Sequence, residues 1–391
     1  MKKLKISFLI LGIIIAVAAI IVRYSTDSIS VYKALNKVQN INSMENHTDL
    51  ILQVSAENMA KQETANFDSF LPLTNILKLS IDTNSVKDKE GKLINIENNI
   101  TAKFNSMSFH SMTWLRNDFT KDNPKLEGIF SLPLLFNAQN TQYSKPYIKV
   151  DFNDMIKSSS KAYTPDTRTI FDPKNYSKAD IWNFIEKYVK ESNSSANKIE
   201  KVAIENTSIG DINETIDIYD IQLDDKETKL LLNDLISKLK ENKDFMDFSD
   251  KFKNSLIKLP NLNLNVENAQ QKDLYKAVNI LQENIPIYCD IENNIINNIN
   301  SVTICDGKGI KLRCGVNKDG YLVKESINLK LKIDLSTMNE ISASKSGEKP
   351  TGIYTINIQI SNTLNSINKD KPINFPVITN ENSVDYFQII K

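Results

Sequence analysis

The side chains best suited to catalysis or metal binding are few in this chain and poorly spaced for either task. There are two histidines. His47 precedes a strand-like run, and His110 alternates with Met112 and Trp114. Neither has a second histidine, a cysteine or a carboxylate at the intervals of a zinc ligand set such as His-Glu-x-x-His. A hydrogen-bonded or solvent-facing imidazole is the simpler expectation. The Gly-x-Ser-x-Gly elbow that lifts a serine nucleophile out of a tight turn does not occur, nor does a phosphate-cradling glycine loop. With 10 glycines in 391 residues, backbone has few places to close on a phosphate, which argues against a nucleotide enzyme. Asp plus Glu total 48. A glycosidase-like carboxylate pair is defined by separation in space, so a hydrolase with carboxylates stays open as one reading. No catalytic residue, metal ligand or cofactor site is expected.

The three cysteines, Cys289, Cys305 and Cys314, fall in the last third of the chain. With Gly307-Lys308 taken as a two-residue hairpin loop, Cys314 shares a face with Ile310, Leu312 and Val316, and Cys305 falls on the opposite one with Thr303. Cys289 shares its face with Ile287 and Ile291. The expectation is two inward thiols acting as small hydrophobes. In an exported chain, a Cys289–Cys314 disulfide is open to them. Among aromatic residues, Trp114, Phe136, Trp182 and Tyr188 are candidates to line an apolar groove, although such stripes more often belong to core.

The elements that must position these residues read mainly as strands. Leu50, Leu52, Val54 and Ala56 alternate with polar neighbours, as do Leu77, Leu79 and Ile81, then Ile94, Ile96, Ile100, Ala102 and Phe104. Lys89-Glu90-Gly91-Lys92 reads as a turn before that third run. Further strands are expected at Met107 to Leu115, at Ile148, Val150 and Phe152, at 201–206 and 214–223, and through 285–291, 302–304 and 310–316. The longest alternation carries Val323, Ile327, Leu329, Leu331 and Ile333 on one face, and Ile353 to Ile360 gives the last. Helical spacing appears behind Ser30 (Val31, Ala34, Leu35, Val38), behind Ser177 (Ile181, Trp182, Ile185, Tyr188), after Asp224 (Leu231, Leu232, Leu235, Leu239), and at Leu274 to Leu281. The expected fold class is therefore α+β: a curved antiparallel β-sheet wrapped around central helices. Two weakly related halves, 26–160 and 175–391, are suggested because Lys89 to Ile94 and Lys318 to Val323 both feed a long strand from a polar Gly turn.

Composition and the N-terminus set the location. Hydrophobic residues make up 41% and charged residues 25%, and Lys plus Arg exactly balance Asp plus Glu at 48 each. The chain should fold, and no net field steers it to nucleic acid. Lys2, Lys3 and Lys5 precede an uncharged apolar run from Ile6 to Val22. That pattern predicts a transmembrane helix at 1–25, an uncleaved signal anchor with its N-terminus inside, and an extracytoplasmic β-rich domain over 26–391. Ala16-Val17-Ala18 offers the competing pattern of a cleaved signal peptide.

The order of elements resembles the bacterial lipoprotein-carrier fold of the LolA and LppX type, and the N-terminal regions of clostridial envelope proteins that carry copper-amine-oxidase-like domains. The local matches are Tyr147 to Phe152, the Tyr219 to Leu223 strand leading to Asp225, Asn317 to Tyr321, and Phe375-Pro376-Val377-Ile378-Thr379. There is no lipobox, and the chain is longer than a minimal carrier. The resemblance implies a sheet with one face plugged by helices, where an apolar ligand would sit, and it transfers no functional residue. The expected function is a membrane-anchored extracytoplasmic binding or interaction module for a lipid, a lipoprotein or another envelope component. The alternatives are a structural component of the cell envelope and an envelope hydrolase. The expected partners are the membrane and a lipid or envelope protein, with no nucleic acid.

Overall fold

In a computed structural model the described residues fall within 31–58, 77–104, 107–131, 145–151, 199–233, 302–334, 352–369 and 371–385, with short gaps inside some of these stretches. They form thirteen strands: β1 Ser43–Glu57, β2 Leu77–Lys87, β3 Leu93–Phe104, β4 Met107–Asp118, β5 Lys125–Ser131, β6 Tyr147–Asp151, β7 Ile199–Ile209, β8 Ile212–Leu223, β9 Thr303–Ile304, β10 Ile310–Asn317, β11 Leu322–Asp334, β12 Ile353–Ile367 and β13 Ser383–Asp385. All belong to one sheet, in the order β13-β6-β5-β4-β3-β2-β1-β12-β11-β10-β8-β7, with β9 on β11. Pairing is antiparallel throughout except between β13 and β6, which are parallel.

This architecture corrects the expected fold class. The described residues make one large sheet with few helical positions, not an α+β fold around central helices. Among the described residues, helical positions are Val31, Lys33, Ala34 and Lys37, a 3-10 segment at Cys305–Gly307, and positions from Asp225 to Asn233, where the sequence placed a helix after Asp224. There the Thr228 amide and hydroxyl both donate to the Asp224 carbonyl, at 2.9 and 2.6 Å. The stripes around Trp182, from Leu231 to Leu239 and at Leu274 to Leu281 lie outside the described residues. A transmembrane helix and signal anchor find no support either. Among the described residues no helix is long and apolar enough to cross a membrane, and Ile6 to Val22 lies outside them.

The two suggested halves are joined in one hydrogen-bonded surface. β1 sits mid-sheet, paired with β2 on one side and, over its whole length, with β12 on the other. The Lys89 to Lys92 turn does connect β2 to β3, and Asn317 to Tyr321 connects β10 to β11. In the second turn Gly320 takes a φ of 76°, a left-handed conformation that favours glycine. Its amide donates to the Asn317 carbonyl at 2.9 Å.

The main core lies under β8, β10, β11 and β12. On β11 the long alternation is realised: Leu329, Leu331 and Ile333 are buried while Asn328 and Lys332 are exposed. They pack with Ile310, Leu312, Cys314, Tyr219, Ile221 and Ile358, and with the helical Val31 and Ala34. A second cluster gathers where the β7–β8 hairpin bends back toward β12. Ile216 and Ile218 meet Val323, Ile209 and Leu364, and Gly315 gives them room, since a Cβ there would lie 2.8 Å from Ile216 Cδ1. Among the described residues β7 carries the sheet's outer edge on this side. A bulge between Lys201 and Ala203 interrupts that edge, a device that discourages further strand pairing.

Candidate functional site: a polar groove across four strands

Register determines which side chains meet. Arg313 on β10 pairs with Ser326 on β11, Ser326 with Ser361 on β12, and Ser361 with Asp49 on β1. Two residues along each strand, Lys311 pairs with Asn328, Asn328 with Gln359, and Gln359 with Ile51. Because strand side chains alternate faces, both rows project from the side opposite the main core. Together they line a groove of about 470 Å³. Lys311, Arg313, Asn328, Gln359 and Ser361 are exposed. Among the described residues, the side chains of Ser326, Asn328, Gln359 and Ser361 take part in no hydrogen bond, so their donors and acceptors are available to a ligand.

The two ends of the groove differ in charge. At the β10 end, Asp220 accepts from Arg313 Nε at 2.8 Å and from Arg313 Nη2 at 3.1 Å, and Lys311 Nζ lies 2.8 Å from the same carboxylate. The Arg313 hydrogen bonds hold the Asp220 carboxyl below its ordinary range, with Lys311 adding to the effect and burial opposing it. Glu205 adds a second negative charge near Arg313 and lies 3.9 Å from Lys324 Nζ, so three cations meet two carboxylates at this end and one positive charge is in excess. Beside them, Lys330 Nζ is 3.0 Å from both Asp306 oxygens.

At the β1 end, His47 stands between two carboxylates: Nδ1 is 2.6 Å from Asp82 Oδ1 and Nε2 is 3.3 Å from Asp49 Oδ2. The Asp82 hydrogen bond raises the imidazole's pKa above its ordinary value, partial burial opposes that, and Asp49 reinforces it. Ser80 Oγ lies 3.4 Å from Nε2, so Ser80, His47 and Asp82 reproduce the connectivity of a serine-hydrolase triad. The resemblance stops at Nε2, which Asp49 Oδ2 approaches at 3.3 Å, so this nitrogen is not directed at Ser80 alone.

The sequence-derived candidates lie elsewhere. Trp114 is buried on β4, its indole N–H donating to Glu97 Oε2 at 3.0 Å and its ring set edge-on to Tyr147 at 6.1 Å. Nearby, Phe375 of the C-terminal segment lies against the Arg116 guanidinium, 4.3 Å from the ring centroid. Trp114 is therefore a buried core residue. Phe136, Trp182 and Tyr188 lie outside the described residues. Cys314 is a free, fully buried thiol whose pKa burial raises strongly, and Cys289 lies outside the described residues.

Gly307-Lys308 is not a hairpin loop. Cys305 to Gly307 form a 3-10 turn with φ of 47°, 54° and 81°, so β9 and β10 follow one another along the same edge of β11. Cys305, half-buried, accepts a hydrogen bond from the Lys330 amide at 3.4 Å. Sequence reasoning missed the groove because none of its residues forms a motif; only the mutual register of four strands brings them together. Among the described residues no group of histidine, cysteine and carboxylate side chains is arranged to hold a metal. No protein-family model and no curated protein matches this chain.

Proposed function

We propose that this chain is a non-enzymatic binding module whose polar sheet face recognises a hydrophilic component of the cell envelope. The observation that carries this reading is the double row of unengaged hydroxyl and amide side chains between a cationic and an acidic end. The apolar side chains under β8 to β12 are buried together with Val31 and Ala34, while the open groove on the other face presents hydroxyls and amides. A hydrolase needs a free base, and His47 is held by two aspartates. The envelope setting is part of the same proposal and is tested with it.

The test is co-sedimentation of the purified protein with isolated cell-wall saccules and, separately, with anionic phospholipid vesicles. The expected result is retention on saccules that Ser361→Trp, which fills the groove, lowers at least tenfold. Retention on vesicles alone would favour the lipid-carrier reading instead.

A further inference from the structure

Resting on that reading of the groove, we infer that its ligand is a short oligosaccharide carrying one acid group, with the acid on Lys311 and Arg313 and the sugar hydroxyls on Ser326, Asn328, Gln359, Ser361 and Asp49. Three strand intervals separate Arg313 from Asp49, a span of about 14 Å at the usual strand spacing. The ligand is therefore a chain lying across the strands. It meets side chains and not backbone, because β10, β11, β12 and β1 are each paired on both sides and their main-chain groups are engaged. Peptide recognition by strand addition needs a free edge, which the middle of a sheet does not offer.

The lining narrows the class further. Hydroxyls and carboxamides that both donate and accept suit the vicinal hydroxyls of a sugar, and the half-buried Ile51 offers a small apolar surface to a ring's C–H face. Ile327 and Ile360 also border the groove, but donors and acceptors placed between two charged ends suit a sugar better than a hydrocarbon chain. Single-stranded nucleic acid would need aromatic platforms, and no aromatic side chain lines the groove. Charge fixes both the number of acid groups and their polarity. The excess cation at β10 attracts one anion with planar, Arg-matched oxygens. Asp49 repels a second, and instead accepts from a hydroxyl or amine at the far end of the ligand.

Isothermal titration of the full chain with sialyllactose, which carries one carboxylate, and with lactose, which carries none, tests the assignment. Sialyllactose should bind at least tenfold more tightly, and Arg313→Gln should abolish that preference. Arg313 is half exposed, so the variant should fold, and circular dichroism checks that it does. Equal affinity for the two sugars, or no binding of either while saccules are still retained, overturns the acidic-oligosaccharide assignment and leaves the groove reading standing. Sialyllactose binding that survives unchanged in Ser361→Trp overturns the groove reading itself.

Discussion

Two titratable side chains, one on each face of the sheet, link protonation to stability. His47 is raised by Asp82 first and Asp49 second. Its contribution is fully present below the ordinary value of 6.5 and is lost as pH rises through the higher folded value. The imidazole is partly exposed, so solvent screening keeps the effect small, roughly 0.5 kcal/mol or less. His47→Gln should melt slightly below the parent at pH 6 and converge with it in alkali, and an NMR titration of the imidazole should give a midpoint above 6.5.

Glu325 reaches the same sign for a different reason. It projects toward the main core beside Cys314, and burial pushes its carboxyl pKa up, opposed by the hydrogen bond that Asn362 Nδ2 donates at 3.2 Å. A carboxyl raised in the folded state favours folding when protonated, and it costs stability as pH climbs through the folded value. Glu325→Gln should therefore stabilise the protein at pH 7 by on the order of 1 kcal/mol, with the gain vanishing near pH 4. Thermal melts across that range check it, and a variant less stable at pH 7 would show that the carboxylate is instead well solvated by its neighbours.

At the scale of elements, the β9–turn–β10 segment shows how backbone conformation positions the groove. Left-handed residues at Cys305, Asp306, Gly307 and Gly309 redirect the chain so that β10 presents Lys311 and Arg313 beside Asn328 and Ser326. Gly309 combines a φ of 78° with close packing, since a Cβ would overlap the Leu223 carbonyl. Gly309→Ala should thus destabilise by at least about 2 kcal/mol, measured by urea denaturation. Gly307 takes a similar φ but has open space around it, so alanine there should cost less.

Other elements departed from their sequence signal for reasons specific to them. β5 was not expected, because Leu126 and Ile129 are both buried although they lie on opposite faces, which erases the period-two contrast. The first half of β1 was missed for the opposite reason. Asn46 and Thr48 occupy the face shared with Leu50 and Leu52, where both donate to Asn362 Oδ1, at 3.0 and 2.9 Å. Thr83, Asn98 and Thr113 continue this polar row over β2, β3 and β4.

For the whole molecule, the decisive fact is that β1 and β12 zip together along their full length. Stability should therefore be transmitted between regions far apart in the chain. In a Trp182→Phe background, Trp114 on β4 becomes the sole tryptophan. Leu329→Ala on β11, expected to cost about 2–5 kcal/mol, should lower the denaturation midpoint reported by Trp114 as much as that reported by circular dichroism. An unchanged Trp114 midpoint would mean that the two ends of the sheet unfold independently. The C-terminal segment adds a further tie, with Lys371 Nζ 2.8 Å from Glu45 Oε2 and β13 paired with β6.

The amino-acid sequence by itself determined most of the strands and the inward face of β11, because a period of two with bulky aliphatic residues admits no other half-buried conformation. It also determined the turns at Lys89 and Lys318, where polar residues and glycine break the alternation. Only the tertiary structure decided that the strands form one sheet, that Trp114 is core, and that Cys314 is a free thiol. It alone also assembled Lys311, Arg313, Ser326, Asn328, Gln359, Ser361 and Asp49 into one groove. These residues come from four strands separated by up to about three hundred positions in sequence, and strand pairing between distant segments is a property of register and closure that no local pattern encodes.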